Sequence, residues 1–199
     1  MRSNSGAFIH WYHKYRLMNE DSRQLVHLGF GVLIALAIFV LEREYAIMVL
    51  ALGLFGGFVL IDLVDRGYRV PVASEMVENL ERTGRMPGYG AVCFVLSALF
   101  CLIFFPVAYV VAGVVTLAVL DSVSTIVGLH FGRHRIFNGK SWEGTASGII
   151  GAFIPLVFLL SPLTAAVAAF VGGIAELISP IEDNLVIPPV ICIISILLA

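Results

Sequence analysis

Charged residues are scarce in this chain. Aspartate, glutamate, lysine and arginine make up 13% of its 199 residues, whereas they make up about 25% of a typical soluble domain. Too few charges remain to cover a water-exposed surface, which excludes an ordinary soluble domain. We expect no nucleic-acid partner for such a chain.

Cysteine is also scarce, and it is not arranged for metal binding or cross-linking. Cys93, Cys101 and Cys192 each lie inside an apolar run, and no CxxC pair occurs. The sequence therefore indicates neither a zinc site nor a disulfide framework. We predict that the three cysteines are small apolar core residues.

The abundant feature is hydrophobic sequence, which makes up 59% of the chain. It falls into seven apolar segments, at residues 24–41, 45–64, 90–105, 107–128, 144–160, 163–178 and 185–199. Runs near helical span length between short polar loops predict an all-α, polytopic helical membrane protein with about six or seven transmembrane helices. The last segment is short, since about 15 residues rise only about 22 Å against roughly 30 Å of hydrocarbon.

The distribution of lysine and arginine predicts the orientation in the membrane. With the N-terminus in the cytoplasm, eleven of the twelve lysine and arginine residues fall on the cytoplasmic side, and only Arg43 falls outside. The positive-inside rule favours this arrangement. The chain is then a single transmembrane domain, 1–199, with a cytoplasmic or interfacial segment at 1–22 and cytoplasmic loops at 65–88 and 129–143. Residues 75–82 of the first loop are predicted to form an amphipathic helix.

One acid lies deep in the predicted fourth helix. Asp121 is flanked by apolar and small residues, where an ionised carboxylate is costly unless it is paired or bound to a cation. Gly128 follows two turns later on the same face, and Gly132 one turn after that. These glycines allow close approach of a helix or a ligand. The alternatives are a buried structural hydrogen bond for Asp121 and ordinary helix packing for the glycines.

A basic loop follows the fourth helix. It contains Arg133 and Arg135, and then Gly139, Lys140 and Ser141 at the predicted start of the fifth helix. Charge-assisted donors beside a helix N-terminus suit phosphate groups, and Ser141 is predicted to be the N-cap. The glycine spacing and the lack of a preceding strand exclude a Walker A motif. The alternative for the basic residues is topology alone.

More acids are predicted at the same membrane face. Glu176 lies near the inner end of the sixth helix, and Asp183 follows in the next inner loop. Carboxylates beside phosphate-binding residues indicate Mg²⁺, which binds a few carboxylates together with substrate phosphates. Arg23 and His27 are one turn apart at the inner end of the first helix, where His27 is either part of this site or an interfacial histidine. Asp62, Asp65 and Arg66 end the second helix at this face, where a salt bridge is the favoured interpretation.

These residues resemble the motifs of CTP-using membrane transferases. The group comprises the dolichol kinases, phytol kinases and CTP-dependent diacylglycerol kinases, with the phosphatidate cytidylyltransferases as a wider relation. The resemblance covers residues 23–190 and rests on three motifs: Arg23-Gln24-Leu25-Val26-His27; Asp121-Ser122 with Gly128, Gly132 and Lys140-Ser141-Trp142-Glu143-Gly144; and Glu176 with Asp183-Asn184 before Pro188. Gln24 stands where the family usually has lysine, which removes one cation from the expected phosphate site.

The resemblance implies transfer of the γ-phosphoryl group of CTP to an isoprenoid alcohol of the dolichol, phytol or geranylgeraniol type, at the cytoplasmic face. It implies catalytic roles for Asp121, Lys140 and Glu143, with Asp121 or Glu143 as proton acceptor, and Mg²⁺ held by Asp121, Glu176 and Asp183. The nucleotide-binding set is Arg23, His27, Gly128, Gly132, Arg133, Arg135, Gly139, Lys140, Ser141, Gly144 and Asn184.

Two other functions remain open from the sequence. A cytidylyltransferase would use the same motif to make a CDP-lipid from CTP and a lipid phosphate. A membrane transporter would use intramembrane acids along an ion path, although the acids here cluster at one face and no inverted repeat is visible.

Overall fold

The structure is a computed structural model that describes residues 5–71 and 88–199, with side chains described for residues 20–71 and 88–199. This part of the chain contains seven α-helices and no strand: α1 Ser5–Val40, α2 Arg43–Asp65, α3 Tyr89–Phe104, α4 Val107–Phe131, α5 Trp142–Leu159, α6 Pro162–Ile178 and α7 Asp183–Leu197. The all-α prediction is confirmed. The amphipathic helix predicted at 75–82 lies outside the described residues.

The lengths of the helices are those of a polytopic helical membrane protein. Four stretches are long and apolar enough to cross a bilayer: Glu20–Val40, Arg43–Asp65, Val107–Phe131 and Trp142–Leu159. α3, α6 and α7 are apolar but shorter. α1 has 36 residues and is about 54 Å long at 1.5 Å per residue, so the helix continues through much of the predicted N-terminal segment.

Local sequence explains where several helices begin and end. Ser161 caps α6 by accepting a hydrogen bond from the Thr164 backbone N–H, and Pro162 takes the first helical position, where a missing N–H costs nothing. The α3–α4 corner is Phe105 in an extended conformation followed by Pro106, which disfavours helix at the preceding residue.

α4 forms the centre of the bundle and packs against α1, α5, α6 and α7. Close approach depends on small residues, because a Cβ on Gly31 of α1 would lie 2.3 Å from the Ala118 Cβ of α4. Likewise, a Cβ on Gly113 of α4 would lie 2.9 Å from the Pro188 carbonyl of α7. The three cysteines are buried, as predicted.

α7 runs through two prolines rather than ending before them. Pro188 and Pro189 lie inside the helix, and a proline donates no hydrogen bond to the carbonyl four residues earlier. Pro189 therefore leaves the Leu185 carbonyl free, and this carbonyl accepts a hydrogen bond from Ser97 Oγ of α3 at 3.3 Å. The interhelical contact compensates for the missing intrahelical one.

Candidate functional site

A tight loop carries the basic residues from α4 to α5. Asn138 and Gly139 adopt left-handed backbone conformations, with φ of 53° and 72°, which glycine tolerates without strain. The Ile136 N–H donates to the Lys140 carbonyl at 2.9 Å, and Arg135 Nη1 donates to the Gly139 carbonyl at 2.7 Å. Ser141 then caps α5 by accepting from the Gly144 N–H at 3.1 Å, as predicted. The loop thereby turns Lys140 back toward the bundle.

Three carboxylates from three helices converge beside this loop. Asp121 lies on α4, Glu176 near the end of α6 and Asp183 at the start of α7. Each offers one oxygen atom, and these oxygens all lie within 4.8 Å of one another. Asp121 and Glu176 are buried, with 9% and 2% of their surface exposed. Like charges so close together are tolerated only beside a cation or when one of the acids is protonated.

Lys140 forms ion pairs with two of these three acids. Its Nζ lies 2.7 Å from Glu176 Oε1 and 3.2 Å from Asp183 Oδ2. Burial disfavours its charged form, but the carboxylates of Glu176 and Asp183 outweigh that effect and raise the pKa of Lys140. The ammonium group therefore stays charged at neutral pH.

Two residues of α1 border the acid cluster. His27 Nε2 lies 3.6 Å from Asp121 Oδ2, and the His27 ring packs edge-on against Phe94 of α3 with centroids 5.1 Å apart. Arg23 pairs with Glu20 at 2.6 Å. The helix itself is tied to α4, because Ser122 Oγ donates to the Gln24 carbonyl at 3.1 Å.

The acid cluster opens into a cavity of about 1300 Å³. Its polar lining comes from α1, α4, the basic loop and the facing ends of α6 and α7, while α1, α2 and α3 contribute an apolar lining. Eleven predicted site residues line it: Arg23, His27, Asp121, Gly128, Arg135, Gly139, Lys140, Ser141, Glu176, Asp183 and Asn184.

Four other predicted site residues are absent from this lining: Gly132, Arg133, Glu143 and Gly144. Glu143 points to the loop, where its Oε1 lies 2.7 Å from His134 Nδ1. Gly144 lies at the crossing of α4 and α5, since a Cβ there would be 2.5 Å from the Ser124 carbonyl. Close packing of α4 and α5 therefore accounts for Gly144.

The salt bridge favoured at the end of α2 is confirmed. Arg66 Nε lies 2.8 Å from Asp62 Oδ2, and both side chains are more than half exposed. Neither residue lines the cavity. These charges belong to the surface of the helix end.

Sequence reasoning missed two hydroxyl groups that hold the acids. Ser124 Oγ donates to Glu176 Oε1, and Thr125 Oγ1 donates to Asp121 Oδ1 at 3.4 Å. Both residues line the cavity. They lie three and four residues after Asp121, on the same face of α4. That spacing could have identified them from the sequence.

The acid cluster has the chemistry of a divalent-cation site. Carboxylate oxygens are the ligands that Mg²⁺ prefers, usually a few of them completed by substrate phosphates and water. Glu176 Oε2 is buried and has no hydrogen-bond partner among the described residues, so it retains an acceptor for such an ion. The residues present fit a magnesium ion.

The chain is similar to two curated proteins. It is 28% identical over 186 residues to a phytol kinase of Synechocystis sp., covering 85% of this chain and 75% of that protein. No family model matches the chain, and no solved structure matches it.

The second relative is an uncharacterised protein of Methanocaldococcus jannaschii. The two chains are 31% identical over 185 residues, which cover 89% of this chain and 93% of the archaeal protein. At this identity over nearly the full length of both, the chain belongs to the same family as the M. jannaschii protein.

Proposed function

We propose that this protein is a lipid alcohol kinase that transfers the γ-phosphoryl group of CTP to the hydroxyl group of an isoprenoid alcohol. The observation that carries the proposal is that Lys140 pairs with two members of a cluster of three carboxylates, inside a cavity that also has apolar walls. The similarity to a phytol kinase supports the same class of acceptor. The choice of CTP rests on the resemblance of the central motif.

The roles of the residues follow from charge. Asp121, Glu176 and Asp183 would hold Mg²⁺, which neutralises the charge of the phosphate oxygens during transfer. With a cation held by the acids, the Lys140 ammonium group would be free to bind the triphosphate. Arg135, exposed at the rim of the cavity, would bind the outer phosphates.

Transfer exchanges one P–O bond for another. The alcohol oxygen attacks the γ-phosphorus, the bond from that phosphorus to the bridging oxygen of the β-phosphate breaks, and CDP leaves. The alcohol proton passes to a carboxylate. The position of Glu143 outside the cavity supports Asp121 as the acceptor, and His27 at 3.6 Å would orient it.

The proposed site faces the cytoplasm. It lies at the end of the bundle where α2, α4 and α6 finish and α3, α5 and α7 begin. The distribution of lysine and arginine favours the cytoplasm for that end. A cytoplasmic site meets a water-soluble nucleotide on one side and membrane lipid on the other.

The test is product analysis with purified protein. The protein is incubated with Mg²⁺, labelled CTP or ATP, and a panel of isoprenoid alcohols, diacylglycerol and phosphatidate. A kinase releases CDP and a lipid phosphate, a cytidylyltransferase releases pyrophosphate and a CDP-lipid, and a transporter yields neither. Pyrophosphate release, or no turnover with any alcohol, would overturn the proposal.

A pair of matched variants links activity to the cluster. Asp183→Asn removes a charge from the proposed metal site and should abolish transfer. Asp62→Asn removes a charge at the same end of the bundle, from a surface pair outside the cavity, and should leave transfer unchanged. Equal activity in the two variants would argue against the cluster.

A further inference from the structure

We propose that the hydrocarbon chain of the acceptor lies in a groove between α1 and α2, and that it reaches this groove sideways from the bilayer. The inference rests on the proposed function and assigns the acceptor subsite of that same cavity. Its occupant is the isoprenoid chain whose hydroxyl group is at Asp121.

The wall on α1 changes from polar to apolar along one face. Arg23 and His27 line the cavity one turn apart, and Phe30 and Ile34 line it over the following two turns. Residues three and four apart on a helix lie above one another on the same face. An amphiphile whose polar end lies at His27 would therefore place its chain along Phe30 and Ile34.

The wall on α2 is only partly covered by the described helices. Its buried residues are Ala46 and Leu50, both near its N-terminal end, and none of residues 51–65 is buried. α1 and α2 are joined by a short link, so their linked ends are held together, while the other ends enclose the cavity. Residues of both helices line the cavity toward the catalytic end.

Residues of α1 and α2 that are equally far from the link lie at the same depth in the membrane. Counting at 1.5 Å per residue from the link, His27 is roughly level with residue 56 of α2, and Ile34 with residue 49. The groove therefore extends roughly 10 Å beyond His27, to the level at which Leu50 is buried in the bundle. A longer chain must leave the groove sideways into lipid.

The glycines of α2 point to a ligand. A Cβ added at Gly53, Gly56 or Gly57 would meet no described atom within 4 Å, so packing against the described helices does not require glycine at any of them. Glycine is unfavourable inside a helix and is used where another chain or a ligand approaches closely. Gly53 and Gly57, one turn apart, line the cavity, whereas Gly56 does not.

Continuity with the acid cluster selects the occupant. The same cavity contains Asp121 and Lys140 at its polar part and Leu54, Leu60 and Ile61 of α2 at its apolar part. An isoprenoid alcohol has this distribution of polarity, with one hydroxyl group on a long apolar chain. Both walls are candidate membrane spans, so the open side of the groove faces hydrocarbon.

Chain-length selectivity tests the groove. Gly53→Phe fills its deep part, so the ratio of kcat/KM for geranylgeraniol to that for the short alcohol prenol should fall at least about tenfold, as for misfits in apolar pockets. Gly56→Phe is the matched control, with the same change one turn of sequence away and outside the cavity, and its ratio should equal that of the wild type. The same ratio in both variants would overturn the assignment.

A second readout does not depend on catalysis. A geranylgeraniol analogue with a diazirine on its chain is photolysed with the protein in nanodiscs, and labelled peptides are mapped by mass spectrometry. Labelling should fall on residues 30–34 and 53–61, compete with unlabelled geranylgeraniol, and be lost in Gly53→Phe but not in Gly56→Phe. Labelling elsewhere, or labelling that a diazirine phospholipid reproduces and geranylgeraniol does not displace, would refute the groove. If the wild type lacks kinase activity but labels as expected, only the proposed function fails.

Discussion

Replacement of Lys140 by methionine should destabilise the protein, because it leaves a buried carboxylate without its cation. Lys140 Nζ contacts Glu176 Oε1 at 2.7 Å, and the Glu176 side chain is fully buried. Methionine keeps the length and apolar stem of the lysine but carries no charge. The perturbation therefore isolates the ion pair.

The size of the effect follows from burial. Breaking a buried ion pair by removing one partner costs about 3–5 kcal/mol. The Lys140 side chain is 25% exposed, so water screens the pair in part. We expect Lys140→Met to lower the free energy of unfolding by about 2–3 kcal/mol, which lies just below that range.

The double variant Lys140→Met with Glu176→Gln separates charge from packing. Both charges are removed, and neutral replacement of a buried pair is often harmless. The double variant should recover to within about 1 kcal/mol of the wild type, so it should be at least about 1 kcal/mol more stable than Lys140→Met. Neither variant should transfer phosphate, because each lacks a proposed ligand.

The assay is unfolding in mixed micelles at increasing mole fraction of SDS, followed by circular dichroism without divalent cations. Mg²⁺ should then stabilise Lys140→Met more than the wild type, since the ion replaces the missing charge. The raised pKa of Lys140 keeps the lysine charged at neutral pH. The contribution of the lysine charge to stability is lost only as the pH rises above 10.5, the ordinary lysine pKa, and through the raised pKa of the folded state. A single variant as stable as the wild type, or a double variant no more stable than the single one, would refute this account.

Four further outcomes are expected. Asp121→Asn should keep the fold, matched by size-exclusion profile, and abolish transfer across a Mg²⁺ titration, whereas near-wild-type activity would remove Asp121 from the site. Glu143→Gln should retain transfer within about tenfold, since Glu143 contacts the loop outside the cavity. A loss of about 3 kcal/mol in transition-state stabilisation would instead indicate that Glu143 is the proton acceptor. Gly144→Ala should lower stability by about 1–3 kcal/mol through overpacking, while Gly29→Ala, where a Cβ meets no described atom within 4 Å, should not, as measured by SDS unfolding. A cysteine at Asn138 in a cysteine-free protein should resist an impermeant reagent added from outside the cell, and labelling would reverse the orientation.

The positions of the helices followed from the hydrophobic runs, except that α1 begins at Ser5, well before its apolar run at 24–41. The predicted segments at 107–128 and 163–178 correspond to α4 at Val107–Phe131 and α6 at Pro162–Ile178. Such runs are informative because backbone polar groups in lipid must be paired within a helix, and apolar side chains must cover it. Helix caps are equally local, which is why Ser141 was identified correctly.

The residues of the acid cluster were also accessible from the sequence. Asp121 stands out because a carboxylate deep in an apolar run needs a compensating partner. Glu176 and Asp183 were assigned to the same membrane face by topology. Their metal-binding and catalytic roles remain predictions.

The sequence by itself determined the fold class and the candidates for the site, because span length, capping and the cost of a buried charge are properties of a residue and its near neighbours in the chain. Only the tertiary structure decided that Lys140 contacts Glu176, that Glu143 contacts His134 outside the cavity, and that α2 leaves a groove beside α1. These features depend on how closely helices cross and where they separate. Such distances are set by complementary packing between side chains far apart in sequence, and no single segment of the chain contains that information.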